Sequence, residues 1–212
     1  MNLTANNTYA GPTTISKGTL YLIGGASIRD SQTISVASGA TFDVSGLTGG
    51  FAIAAGQTLN GSGAINGALT VGGTLAPTNS AAGISTLTFT NDLALAGTAL
   101  FALNRTNAQT ASKAVGLGAV AFGGTLILTN TGTALQSSDS FTLFTASSGF
   151  SGSFAGVTPV SPSSNLAWDT NHLGSSGVLD VYTFATTPLT LSTPVNTPAT
   201  IGAPKLANHV RS

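Results

Sequence analysis

The stretch Trp168-Asp169-Thr170-Asn171-His172 is the one place in this 212-residue chain where Trp, Asp and His meet. An indole of this kind stacks on the apolar face of a sugar, while a neighbouring carboxyl and imidazole exchange protons. One carboxylate with one imidazole is an incomplete acid–base set, so no catalytic residues are assigned. Trp168, Asp169 and His172 are retained as weak ligand candidates, against the plainer reading of a capping Trp followed by an Asp turn. The chain has six Asp and no Glu. A glycosidase needs two carboxyls roughly 5–9.5 Å apart, and Asp30, Asp43, Asp92, Asp139, Asp169 and Asp180 are scattered. Asp43 and Asp180 fall at outward positions of strand-like runs, and the others read as turn residues. His209 has no evident partner. With no Cys, thiolate metal sites, disulfides and cysteine nucleophiles are excluded. The calcium-binding nonapeptide G-G-x-G-x-D is absent, so neither a metal nor a cofactor is expected. Sequons at Asn2, Asn6, Asn60 and Asn104 are read as chance matches.

What must position these residues is a β scaffold. Charged residues make up 6% of the chain, far below the roughly 25% of ordinary soluble domains, and aromatics 7%. Their place is taken by 33 Thr, 30 Ala, 27 Gly and 24 Ser, so helix formers are scarce. Net charge is zero with no basic cluster, which excludes nucleic acid as an expected partner. No apolar run approaches the ~18 residues of a membrane-spanning helix. Apolar residues recur with period two: Leu20 and Leu22, Phe42 and Val44, Leu69 and Val71, Leu87 and Phe89, Leu126 and Leu128. Their neighbours Thr19, Thr41, Thr70, Thr88 and Thr125 face the other way. Asn60-Gly61, Asn66-Gly67 and the Gly-Gly pairs at 24, 49, 72 and 123 separate the runs. They are read as corners rather than hairpins, because the apolar runs do not pair off symmetrically around them.

The pattern Gly-x-Thr-apolar starts at Gly39, Gly56, Gly72 and Gly123, with a weaker copy at Lys17-Gly-Thr-Leu20. The starts lie 17, 16 and 51 residues apart, and 51 is three times 17. A drifting period of roughly 20 residues predicts a solenoid whose coils pair strands in parallel. Narrow interiors suit Ala, Val, Leu and Ile, and like charges stacked in register would repel, which accounts for the composition.

Residues 3–20, Leu-Thr-Ala-Asn-Asn-Thr-Tyr-Ala-Gly-Pro-Thr-Thr-Ile-Ser-Lys-Gly-Thr-Leu, closely resemble the autotransporter-associated β-strand repeat. Leu3, Thr4, Asn7, Thr8, Tyr9, Gly11, Thr13, Thr14, Ile15, Gly18, Thr19 and Leu20 match; Ala5 and Pro12 depart. Softer similarity continues through Phe101–Arg105, Gly123–Asn130, Phe141–Phe144 and Leu166–Thr170. The resemblance implies a right-handed single-stranded parallel β-helix that is exported and serves at the bacterial cell surface, where adhesion is the usual role. It carries no catalytic residues. It also implies a signal peptide and an outer-membrane barrel, neither of which these residues supply. The opening inside a repeat points to a fragment, with further repeats of the same protein as the upstream partner.

The expected organisation is coils over residues 1–130, a closing β segment over 131–184 rich in large aromatics, and an extended or disordered Pro/Thr tail over 185–212. Ala111–Val115 reads as strand or helical turn, with strand preferred. Function is expected to be structural or adhesive and non-catalytic, with another surface protein or a glycan as partner. A carbohydrate-active enzyme or glycan-binding module is the alternative. Ice binding is the third reading, and it needs Thr-x-Thr at one place in nearly every coil, a recurrence the sequence lacks.

Overall fold

The computed structural model describes residues 1–78, 83–116 and 118–184; the expected tail over 185–212 lies outside the described residues. Three parallel sheets run along the chain's stack of coils. The first face contains Asn2–Leu3, Gly18–Ile23, Ala40–Gly46, Ala64–Asn66, Thr86–Phe89, Lys113–Gly116 and Phe144–Thr145. The second contains Phe51–Ile53, Leu69–Val71, Leu93–Leu95, Val120–Phe122 and Phe150–Gly152. The third contains Thr13–Ile15, Thr33–Val36, Thr58–Gly61, Thr74–Ala76, Thr98–Leu103, Thr125–Asn130 and Gly156–Thr158. From Ala40 onward the chain visits first, second and third face in turn, so each circuit lays one rung on the last. This is a parallel β-solenoid, and its strands are short because three corners must fit into every circuit.

Alternation decides which side chains enter the core. In Leu69-Thr70-Val71 the two aliphatics are buried and Thr70 is exposed. Stacking then aligns like with like. Ile34, Leu59, Leu75, Ala99 and Leu126 form one inward row on the third face. Directly beside it run Thr33, Thr58, Thr74, Thr98 and Thr125. β-Branched Thr suits a half-exposed pleated surface. The next outward row is mixed, with Thr14, Ser35 and Asn60 in early coils and Leu100 beside Ile127 later. A double Thr row is therefore not formed on this face.

The repeat pattern marks a corner entering a strand rather than a fixed coil length. Thr19 and Thr41 of its first copies stack on the first face, whereas Thr58, Thr74 and Thr125 lie on the third. Between Gly72 and Gly123 the chain completes two coils, not the three that equal spacing suggests, because Thr74 stacks on Thr98 and Thr98 on Thr125. At Gly56 the corner demands a left-handed backbone (φ +86°). At Gly73 it demands space, since an added Cβ would collide with the carbonyl oxygens of Ala54 and Gln57. The Asn-Gly pairs are corners too: parallel strands flank both.

Among the described residues no buried side-chain nitrogen or oxygen lacks a hydrogen-bond partner. The buried Gln57 side chain accepts from the Ala54 amide at 2.9 Å and donates to the Ser31 carbonyl at 2.7 Å, tying two coils together. Ser85 and Ser112 donate to the carbonyls of Gly61 and Gly83. On the outside of the first face, Thr90 donates to Asn66, and Asn66 donates to Asp43 at 3.0 Å. Partial burial pushes the Asp43 carboxyl up, but the hydrogen bonds from the Ser45 hydroxyl, the Asn66 amide and the Ser45 backbone outweigh it and hold the group below its ordinary value.

The parallel ladders run past residue 130, through Phe144–Thr145, Phe150–Gly152 and Gly156–Thr158. Phe101, Phe122, Phe144, Phe150 and Phe154 cluster in these last coils, with Phe122 and Phe150 stacked at 5.5 Å. A three-stranded antiparallel sheet of Ser140–Thr142, Val178–Thr183 and Leu166–Asp169 closes this end. The four-residue helix Leu173–Ser176 lies beside it, contributing the buried Leu173. The Gly177 carbonyl accepts from the amides of Leu143 and Phe144, so the cap is joined to the first face. Residues 111–115 contribute a strand, Lys113–Gly116, as the sequence favours.

Val71→Asp should cost more than about 4 kcal/mol because it places a charge in a dry core, whereas Thr70→Asp should change stability by about 1 kcal/mol or less; thermal denaturation of the pair reads the difference. Because the folded pKa of Asp43 is depressed, its contribution is complete above the unfolded-chain value of about 3.9 and is lost as pH falls through the folded value. The melting temperature should therefore decline on acidification below about pH 4, and Asp43→Asn should flatten that decline.

Candidate functional site

The three faces meet at corners of unequal length. Two residues separate Thr58–Gly61 from Ala64–Asn66 at the corner between third and first face. At the same corner, nine separate Thr98–Leu103 from Lys113–Gly116, and thirteen separate Thr125–Asn130 from Phe144–Thr145. Nothing in the stacking requires these longer excursions, since the coil that starts at Thr58 returns to the third face at Thr74 without one. They lie at the capped end, beside the antiparallel sheet.

Between the excursions and the cap lies a groove of about 560 Å³. Its apolar lining comes from Leu103, Leu128, Leu135, Pro159, Pro162 and Trp168. Its polar lining comes from Asn130, Gln136, Ser137, Ser163, Asn165 and Thr183. None of these described lining residues carries a charge. Leu103, which ends strand Thr98–Leu103, and Leu128, within Thr125–Asn130, are buried core residues, so the floor is part of the core. The volume is in the range of small-molecule sites.

The walls are fixed by hydrogen bonds. Trp168 is half-buried, and its indole Nε1 donates to the Pro159 carbonyl at 2.9 Å, which sets the ring plane. Arg105 Nε donates to both carboxylate oxygens of Asp139 at 3.0 and 2.9 Å, joining one corner excursion to the next. The Arg105 guanidinium also donates to Gln136 Oε1 at 2.6 Å, and the Gln136 backbone amide donates to Asp139 at 2.8 Å. Ser138 adopts φ +75°, a left-handed conformation costly for a non-glycine residue, and its amide donates to the Val181 carbonyl. Gln136 is thus held with its oxygen engaged and its amide nitrogen free of any bond among the described residues. Ser163 donates to Asn165 Oδ1 at 3.0 Å, leaving the Asn165 amide nitrogen in the same condition.

The Trp-Asp-His stretch does not act as a unit. Trp168 and Asp169 are adjacent in an extended strand, so their side chains leave opposite faces of the sheet. Trp168 lies opposite Val181 on the core side, at the rim of the groove. Asp169 lies opposite Asp180 on the outer side, where its carboxylate accepts from the Asn171 amide at 3.0 Å. His172 Nδ1 contacts Asp180, not Asp169, at 2.8 Å, with the imidazole well exposed. That pair pins the start of the helix to strand Val178–Thr183. The His172 side chain is 59% exposed and that of Asp180 29% exposed. Of the three candidates, only Trp168 lines the groove.

Elsewhere, Asp92 accepts from the Ala119 amide one coil away at 2.8 Å. Among the described residues no group of three or more His, Cys, Asp or Glu side chains is placed to hold a metal ion. No helix among them is long and apolar enough to cross a membrane.

Fold and site together define a single-chain parallel β-solenoid with a lateral groove at its closed end. Neither known protein-family models, curated proteins nor solved structures gave a match to the chain.

Arg105→Met should remove the brace across the groove wall. The expected cost is about 1–3 kcal/mol, from loss of charge-assisted bonds to a mostly buried carboxylate. Limited proteolysis should also cut residues 131–138 faster than in the unmodified chain, at constant far-UV circular dichroism.

Proposed function

We propose that this chain is a structural and adhesive module of an exported bacterial surface protein, an autotransporter passenger-like solenoid that displays a binding site and performs no catalysis. The observation that carries the reading is the unbroken stack: seven-stranded ladders on two faces form a rod of about 30 Å over one continuous apolar core. Such a core resists bending and sets a fixed distance between whatever lies at its two ends. Its edge strands at the N-terminal end, Asn2–Leu3 and Thr13–Ile15, have the geometry to accept a further parallel coil of the same protein. The likeness of residues 3–20 to the autotransporter-associated repeat supports an extracellular setting. Absence of Cys is compatible with export, and the neutral surface disfavours nucleic acid as partner.

Antibodies raised against the folded chain should stain intact, unpermeabilised cells of the producing bacterium, and external protease should remove that signal. Staining that requires permeabilisation would overturn the surface assignment.

A further inference from the structure

We propose that the groove beside Trp168 is a binding site for a neutral oligosaccharide. This deepens the adhesive reading above and rests on it.

Three features of the groove fit that ligand class. First, its described lining is uncharged, although the chain places Arg105 and Asp139 immediately behind the wall. Those two charges neutralise each other in an ion pair whose Nε–H is shared by both carboxylate oxygens, so the site offers no compensation for a phosphate, carboxylate or ammonium group. A charged ligand would lose its hydration there without a counter-charge. Second, polar and apolar groups are segregated in the manner a sugar ring demands. Pyranose rings present a C–H face and an equatorial rim of hydroxyls. The indole of Trp168, with Leu135 and Pro162, supplies a surface for the first. The amides of Gln136 and Asn165 supply donors for the second. Third, the oxygen of each amide is already engaged. Arg105 occupies Gln136 Oε1 and Ser163 occupies Asn165 Oδ1, so each amide has its nitrogen left to bond a hydroxyl. Preorganisation lowers the entropy lost on binding. A volume of about 560 Å³ suits two or three sugar rings.

Trp168 is the chain's only Trp, so its emission reports the groove directly. The experiment is a fluorescence titration of the full chain with cello-, malto-, xylo- and chito-oligosaccharides of two to four units, with sialyllactose and digalacturonate as charged comparators. Acrylamide quenching comes first. Trp168 should be accessible without sugar, and strong protection in the free chain would mean that an occupant from within the chain covers it, overturning the proposal. At least one neutral series should then shift the emission saturably, and the charged comparators should not. Asn165→Ala and Gln136→Ala should each weaken binding about tenfold, the scale of one lost hydrogen bond in a site built to make it, with unchanged circular dichroism. No shift with any neutral series, equal binding of the charged sugars, or native affinity in both variants would overturn the site. Surface staining without sugar binding would remove the groove assignment alone. Sugar binding by a chain confined to the cytoplasm would remove the surface reading alone.

Discussion

Each strand of this protein must lie on its copy one coil away, at the ~4.8 Å spacing that backbone hydrogen bonds impose. Most of the molecule's peculiarities derive from that requirement. A residue at one position has neighbours of its own kind directly above and below, so the core becomes rows such as Ile34, Leu59, Leu75, Ala99 and Leu126. The same geometry would multiply any charge into a repelling column, and a chain with 6% charged residues avoids doing so. Where coils turn, backbones of adjacent rungs come within carbonyl contact, which is why Gly73 has no room for a side chain.

A stacked core also frees particular corners to vary. At the junction of third and first face two residues separate the strands after Gly61, and nine, nine and thirteen separate them in the three coils that follow. The longer excursions need support of their own, and Arg105 and Asp139 provide it across successive coils. The pair also shapes the groove, because the same guanidinium holds Gln136 Oε1. Rigid scaffold and variable edge thus divide the work: the ladders fix position, and the excursions supply chemistry.

Much of the scaffold was legible because period-two alternation is local. Leu69-Thr70-Val71 announces its own facing, and Asn60-Gly61 its corner. Coil length was not legible, because Gly-x-Thr-apolar encodes a corner entering a strand, and corners of two faces share that code. Alternation also dictates that neighbours Trp168 and Asp169 part company. Trp168, Asp169 and His172 therefore form no single cluster, and the partner of His172 is Asp180, a pairing that no local pattern encodes. Arg105, Gln136 and Asp139 share no motif and lie up to 34 residues apart, so only the stacking of the two excursions reveals them together. Their best sequence signal was scarcity, since an Arg and an Asp in so uncharged a chain have few possible partners.

The stack and its groove depend on the register of the third face, and the absence of native Cys permits a clean test of it. Nitroxide labels at Thr74→Cys and Thr98→Cys sit on adjacent rungs in the observed register, about 5 Å apart at the backbone. Their continuous-wave spectrum should show strong dipolar broadening. A Thr74→Cys and Asn91→Cys pair, matched to the shorter coil that the repeat spacing suggests, should lack it. Broadening in the second pair and none in the first would contradict the stack, and with it the groove that the stack builds.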